Sequence, residues 1–356
     1  MRKLKIFLAA AACAATLVQA AEKLVGGPVV VHAGPTSATI VWVVEGSPLK
    51  LGLSPDDYTI TTPPLRAEKV VLRGLKPGTR YYYDLRLTQE MKGYFKTAPE
   101  GRSSFTFVVY GDTRTRHELH KKVTEAIRKI GPDFIVHTGD LVANGNTVEQ
   151  WPVFFSIERD LLRETAFFPV LGNHERNCPE YYEFFDVTIP YYSFDWGTAH
   201  FTMLNSDLGN VAASDEAKKE FWARQLRWLE EDLEANQQAD FRFVVMHHPP
   251  FTAVKKRQGS NPEVQAMVPV FEKYHVTAVF NGHDHNYQHH LKNGIHYIVT
   301  GGGGAPLYPV DAPMKGITLK VETTEHYVRI KVDGTRAEAE AIALDGHLID
   351  RVELGQ

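Results

Sequence analysis

Cysteine is nearly absent from this chain. Of the two cysteines in 356 residues, Cys13 lies in an N-terminal apolar run and Cys178 stands alone. One remaining thiol excludes an internal disulfide framework and a thiolate metal site, and beside Pro179 it reads as a spare loop thiol rather than a nucleophile. Long hydrophobic runs are missing too: the longest apolar stretch, residues 6–18, is shorter than the ~20 residues a spanning helix needs, so no transmembrane segment is expected. Positive charge is in deficit, with 39 Lys and Arg against 43 Asp and Glu. Without a basic stripe, nucleic acid is not expected as a structural partner.

The first twenty residues differ from the rest. Arg2, Lys3 and Lys5 precede the apolar run, and Val18-Gln19-Ala20 supplies small residues before a cut, the pattern of a signal peptide cleaved after Ala20. Its removal moves the formal charge from −4 to −7 and predicts a periplasmic or secreted protein. A lipid-modified Cys13 is a minor alternative that also implies export.

The remainder, 43% hydrophobic and 23% charged, has apolar material for one large core and a second small unit. Residues 21–98 read as all-β, with strands over 38–44 and 80–87 bounded by Gly, Pro and Ser. The stretch Gly74-Leu75-Lys76-Pro77-Gly78-Thr79-Arg80-Tyr81-Tyr82-Tyr83 resembles the aromatic corner of fibronectin type III-like sandwiches. Residues 99–104 read as a linker, and 105–356 as a catalytic domain. There, short apolar runs at 105–110, 134–137, 167–171, 241–246 and 276–280 alternate with helical stripes, which predicts an α/β domain with a buried sheet. The stripes are Leu119, Val123, Ile127 and Ile130, then Trp222, Leu226, Leu229 and Leu233, both read as core faces. After Gly301 the chain is β-rich, with strands expected over 317–321, 327–332, 341–344 and 348–352. The glycine run 301–304 lacks a phosphate-loop ending and reads as a flexible loop beside the site.

A polar cluster follows each of the five apolar runs: Gly111-Asp112, Gly139-Asp140, Gly172-Asn173-His174-Glu175, His247-His248 and Gly282-His283-Asp284-His285. Ligands of α/β sheets gather at the carboxyl ends of strands, so these side chains are expected to meet in one crevice. The glycines are expected to let the chain turn sharply there and approach a bound ion. A lone Gly-Asp is a turn and a lone His-X-His is often an exposed pair; five clusters in this order are specific. Carboxylate, amide oxygen and imidazole together suit iron, manganese or zinc. His137 is expected to bond inside the core, His248 to point away from the site, and His289 and His290 to lie behind it or face solvent.

The pattern GD, GD, GNHE, strand-ending His and GHxH resembles the calcineurin-like metallophosphoesterases, in particular the purple acid phosphatase branch, in which a fibronectin-like domain also precedes the catalytic one. The resemblance implies a four-layer α/β sandwich of two β-sheets flanked by helices, and two metal ions. Asp112 and His285 would hold the first ion, Asn173, His247 and His283 the second, and Asp140 would bridge. His174 would contact the phosphate or the leaving group. Three positions depart from the family's pattern. Ala143 stands where a coordinating tyrosine belongs, Arg114 where other members place a histidine ligand, and His289 where an arginine often follows. The first ion is thus one protein ligand short, and Arg114 is left either to neutralise a substrate phosphate or to pair with a nearby carboxylate.

The implied activity is hydrolysis of small-molecule phosphate monoesters by in-line attack of a hydroxide held between the ions. Phosphodiester hydrolysis shares every motif, and a catalytically silent exported binding protein is the reading of another class. Loops 144–150, 205–216, 252–262 and 301–310 would set specificity; they carry no readable code for substrate or oligomeric state.

Overall fold

Alternation along the apolar strands sets the layers, because successive side chains of a strand point to opposite faces. The computed structural model describes residues 23–355 except 48, 56, 62–63 and 87–89; the expected signal peptide and Cys13 lie outside them. Seven strands come first: β1 (Lys23–Val31), β2 (Ser37–Glu45), β3 (Lys50–Ser54), β4 (Asp57–Thr61), β5 (Leu65–Arg73), β6 (Arg80–Arg86) and β7 (Glu90–Lys96). The α/β part follows with β8 (Ser104–Tyr110), α1 (His117–Ile130), β9 (Phe134–His137), α2 (Gln150–Leu162), β10 (Ala166–Pro169) and α3 (Pro179–Phe184). Next come β11 (Tyr192–Trp196), β12 (Ala199–Met203), α4 (Asp215–Ala235), β13 (Phe241–Val245), α5 (Pro262–Gln265), α6 (Val268–Lys273) and β14 (Ala278–Asn281). The chain ends with β15 (Tyr287–Lys292), β16 (Ile295–Thr300), β17 (Thr318–Glu322), β18 (His326–Asp333), β19 (Arg336–Ala343) and β20 (Leu348–Leu354).

Two large sheets result, ordered β20-β19-β18-β8-β9-β10-β1-β2-β5 and β11-β12-β13-β14-β16-β15-β17. Phe105, Phe107 and Val109 of β8 point between the sheets toward Phe201, Phe243 and Phe280, while Val108 and Tyr110 point outward beneath α1 and α2. On the far side Val244 and Val279 meet Leu229 and Leu233 of α4 and Phe271 of α6. The layers are therefore helix, sheet, sheet, helix, the two-sheet sandwich the family resemblance implies. Both sequence stripes serve as core faces. Val123 and Ile127 of α1 are buried, and Gly131 ends that helix in a left-handed cap at φ 63°. Ser214 starts α4 by accepting the Ala217 N–H. Among the described residues no helix is long and apolar enough to cross a membrane.

The N-terminal region is all-β as expected, and its pairing carries it into the larger sheet. Val30 of β1 pairs in parallel with Ala166 of β10, so β1, β2 and β5 continue the nine-stranded sheet beyond residues 99–104. One face of this extension is covered by Tyr81, Tyr83 and Phe95 of the β6–β7 hairpin, and the other by Phe155 and Phe184 of α2 and α3. In the aromatic corner the Lys76 N–H donates to the Tyr81 hydroxyl at 2.8 Å, and the Tyr81 ring stacks on Phe95.

Candidate metal centre

Strands β8, β9 and β10 run parallel, as do β13 and β14, so five carboxyl ends open toward one edge of the sandwich. The crevice is shared between the sheets: Asp112, Asp140 and Asn173 follow strands of the first, and His247, His283 and His285 follow strands of the second. Asp112, Asp140, His247 and His285 are buried, whereas Asn173, His174, His283 and Arg114 are half-buried and form the open rim.

All six predicted ligands meet there. His247 Nε2 lies 3.2 Å from Asn173 Oδ1, 3.2 Å from His283 Nδ1 and 3.4 Å from Asp140 Oδ1, and His283 Nδ1 lies 3.1 Å from Asn173 Oδ1. Alongside, His285 Nε2 is 3.2 Å from Asp112 Oδ1. Asp140 turns one oxygen toward each group: Oδ1 toward His247, and Oδ2 toward Arg114 Nε at 3.3 Å and His174 Nε2 at 3.8 Å. Arg114 thus makes the carboxylate pair weighed from the sequence, and its Nη2 reaches within 3.5 Å of His285 Nε2.

The protons are placed so that lone pairs face inward. His247 Nδ1 donates to the Thr138 carbonyl at 2.8 Å and His285 Nδ1 to that of Pro306 at 2.6 Å, which leaves each Nε2 as an acceptor toward the crevice. Asp112 Oδ1 is buried with no hydrogen-bond donor. Acceptors confronting acceptors inside a protein are stable only around a cation. Two overlapping sets of potential ligand atoms, Asp112–Asp140–His247 and His247–His248–His283, each lie within 4.8 Å. The residues present therefore fit a metal ion on an observation of the site itself.

Electrostatics point the same way. Burial opposes charge on His247, yet the Asp140 and Asp112 carboxylates outweigh it and raise its proton affinity; the field that favours a proton there favours a metal cation in its place. Burial would raise Asp140, but His247, His174 and Arg114 hold it below the usual carboxylate range. Burial, then His248 and His247, keep His283 neutral.

The backbone is strained at three of the ligand candidates. Asp112, Asp140 and His283 adopt left-handed φ of 58°, 58° and 69°, a conformation that costs non-glycine residues energy and gathers at functional sites. The sharp turns expected of the preceding glycines are thus made largely by the ligands. Gly172 is required by close approach, since a Cβ there would lie 2.2 Å from Asp140 Oδ1; Gly139, at φ 94°, serves both needs.

Several sequence expectations change. His248, expected to point away, turns inward, its ring centroid 4.3 Å from that of His283. Strand β13 ends at Val245, so strand alternation no longer governs residues 247 and 248. The Ser206 hydroxyl accepts the His248 backbone N–H and bonds its Nδ1, and burial with neighbouring His247 pushes this imidazole down to about 3. The glycine run 301–304 lies beside the site but is a buried strut rather than a flexible loop, with the Gly303 N–H on Gly111 O and the Ala305 N–H on Asp112 O. His289 and His290 are buried away from solvent, on Asp350 and His296, and on Thr318 and Gln288. His137 bonds inside the core as expected, to Thr113 Oγ1 and the Gly139 N–H. Burial pushes the Cys178 thiol up to about 12, which leaves it inert.

Glu175 was visible only as the last letter of a motif. Its carboxylate accepts the backbone N–H groups of Asp140, Leu141, Val142 and Gly172, at 2.9, 2.7, 3.3 and 2.7 Å. Burial and the Asp140 carboxylate raise its pKa to about 8, against the pull of the Gly172 and Asp140 N–H groups and of His247. It ties the loop bearing Asp140 to the loop bearing Asn173. Tyr308 was missed as well: it stacks on His285 with centroids 4.2 Å apart, and the Arg257 guanidinium lies over the same ring, 4.7 Å from its centre.

The sequence profile of the calcineurin-like phosphoesterases matches residues 105–287, which hold every ligand candidate. The chain belongs to the calcineurin-like phosphoesterase family. It is 26% identical over 265 residues to the probable purple acid phosphatase 20 of Arabidopsis thaliana, covering 66% of this chain and 60% of that one. With an uncharacterized protein of Mycobacterium tuberculosis it shares 26% over 279 residues, 65% of this chain; the match spans about half of that relative, 52%. The solved purple acid phosphatase PPD1 of yellow lupin superposes with a TM-score of 0.71 at 17% identity, covering 92% of this chain and 73% of the other, a likeness of fold.

Proposed function

We propose that this chain is an exported metal-dependent phosphoesterase that hydrolyses small phosphate monoesters. The observation that carries the reading is the convergence of side-chain oxygens and ring nitrogens from Asp112, Asp140, Asn173, His247, His283 and His285 on one crevice, with Asp112 Oδ1 buried there without a donor. In this reading Asn173, His247, His283 and Asp140 would hold one ion and Asp112, His285 and Asp140 the other, and the all-oxygen-and-nitrogen set would suit iron, manganese or zinc. When bound, the ions supply Lewis acidity and an acidified solvent nucleophile.

The chain's own residues do the rest. Asp140 keeps both halves in register because its Oδ1 also accepts the His174 backbone N–H at 3.0 Å. His174 donates Nδ1–H to the Ala143 carbonyl at 2.6 Å, which holds Nε2 beside Asp140 in the crevice, where the imidazolium form would give its Nε2 proton to a departing alkoxide and be left neutral. The half-buried Arg114 guanidinium stands where it can meet a non-bridging phosphate oxygen. Residues 21–98 act as a structural fibronectin-like buttress, and the charged and apolar start of the sequence supports export.

The test is hydrolysis of a chromogenic phosphate monoester and the matching diester by mature protein reloaded with manganese, iron or zinc. Monoester turnover that vanishes in Asp140→Ala is expected. A diester preference would redirect the substrate assignment, and no turnover with any metal would remove the reading.

A further inference from the structure

The two ion positions are unequal in one respect that the motifs do not reveal. At the second position Asn173, His247, His283 and Asp140 Oδ1 supply four donors, and among the described residues no side-chain cation is hydrogen-bonded to any of these atoms. At the first, Asp112 Oδ1 and His285 Nε2 face each other at 3.2 Å with the Asp140 carboxylate beside Asp112, and the Oδ2 of that carboxylate is already paired to Arg114 Nε at 3.3 Å, while Arg114 Nη2 is 3.5 Å from His285 Nε2. The guanidinium therefore touches two of the three donors of the first position. A guanidinium offers only N–H donors and no lone pair for a metal, so it competes with any cation entering there.

We infer that Arg114 guards the first metal position: the protein holds one ion tightly at Asn173, His247, His283 and Asp140, and admits a second only when metal excess drives the guanidinium off Asp140. The inference rests on the metal-dependent reading of the site and adds the order and inequality of loading. The side chain can make the move. Arg114 bonds no carboxylate other than Asp140 among the described ion pairs, its contacts are single and long, and its side chain is 13% exposed at the rim. The backbone stays put, because the Arg114 N–H is tied to the Asp140 carbonyl. A guanidinium released from Asp140 remains within the crevice, positioned to take up a phosphate oxygen.

Metal content tests this without recourse to turnover. Metal-stripped protein is reloaded with manganese(II), desalted, and its ions counted by mass spectrometry, with electron paramagnetic resonance distinguishing isolated from spin-coupled manganese. Wild type is expected to retain one ion per chain with an isolated signal, and to gain the second at least tenfold more weakly in titration. Arg114→Lys, which keeps the charge, should stay at one ion. Arg114→Ala should tighten the second binding event about tenfold, and Arg114→His, which adds a donor, should retain two ions with a coupled signal. Two equally tight ions in wild type, or Arg114→Ala and Arg114→His both binding as wild type does, would overturn the inference and leave the phosphoesterase reading standing. Absence of bound manganese from every folded variant would instead bring down the metal reading together with it.

Discussion

The histidine–aspartate cluster around His200 and the one at the strand ends handle their protons in opposite ways. Around His200, Nδ1 meets Asp195 at 2.7 Å and Nε2 meets Asp232 at 2.9 Å, and Asp232 also accepts from Ser193 and Thr202. Every polar atom of that imidazole has a complementary partner. At the strand ends, His247 and His285 spend their N–H groups on backbone carbonyls and turn lone pairs toward other acceptors, and Asp112 Oδ1 has no donor. The same residue types are therefore balanced among themselves in one place and arranged so that a cation could join them in the other. What separates them is whether donors and acceptors balance within the protein.

The comparison breaks first at Asp140. Asp140→Ala should lose monoester turnover by about 10³-fold or more, beyond the loss of one preorganised donor, because both ion positions use it; steady-state assays with metal analysis on the same sample check this. His174→Ala should lower kcat by about 10²–10³-fold while metal content stays at the wild-type value, since His174 faces the site without being one of the proposed ligands. Chelation should lower Tm by roughly 5–10 °C in wild type, as expected when an ion held far above its dissociation constant is withdrawn, and calorimetry of Asp140→Ala should show little of that shift.

The smallest effect belongs to the balanced cluster. Burial opposes charge on His200, but hydrogen bonds and charges from Asp195 and Asp232 outweigh it and raise its pKa to about 9. Since the folded value lies above the unfolded one of about 6.5, the stabilisation is fully present below pH 6.5 and is lost as pH rises through 9. His200→Gln should therefore cost about 2–3 kcal/mol at pH 6 and much less near pH 9.5, measured by denaturant unfolding, with turnover unchanged. A uniform loss across that range would show that packing, not charge, holds His200.

Much of this was legible in the chain. The runs at 105–110 and 134–137 are strands because they are apolar on both faces, and the stripes at 119–130 and 222–233 are helices because their period is helical. The ligand candidates stood out because each follows such a run. Other features escaped for identifiable reasons. Glu175 carries no mark of its own, since a carboxylate that collects four N–H groups looks like any acid until the loops converge on it. His248 was misdirected by extending strand alternation past the end of β13. The pairing of β1 with β10 joins residues more than a hundred positions apart, and a β-branched run does not announce its partner.

Composition, period and motif order were enough to specify an α/β frame with five donor-bearing strand ends and too few thiols for a thiolate metal site, because those properties depend on neighbours along the chain. The division of the five ends between two sheets, the inward turn of His248 and the seat of Arg114 on Asp140 were decided only by folding. Each depends on distances between segments remote in sequence, and a guanidinium selects its carboxylate by proximity in space.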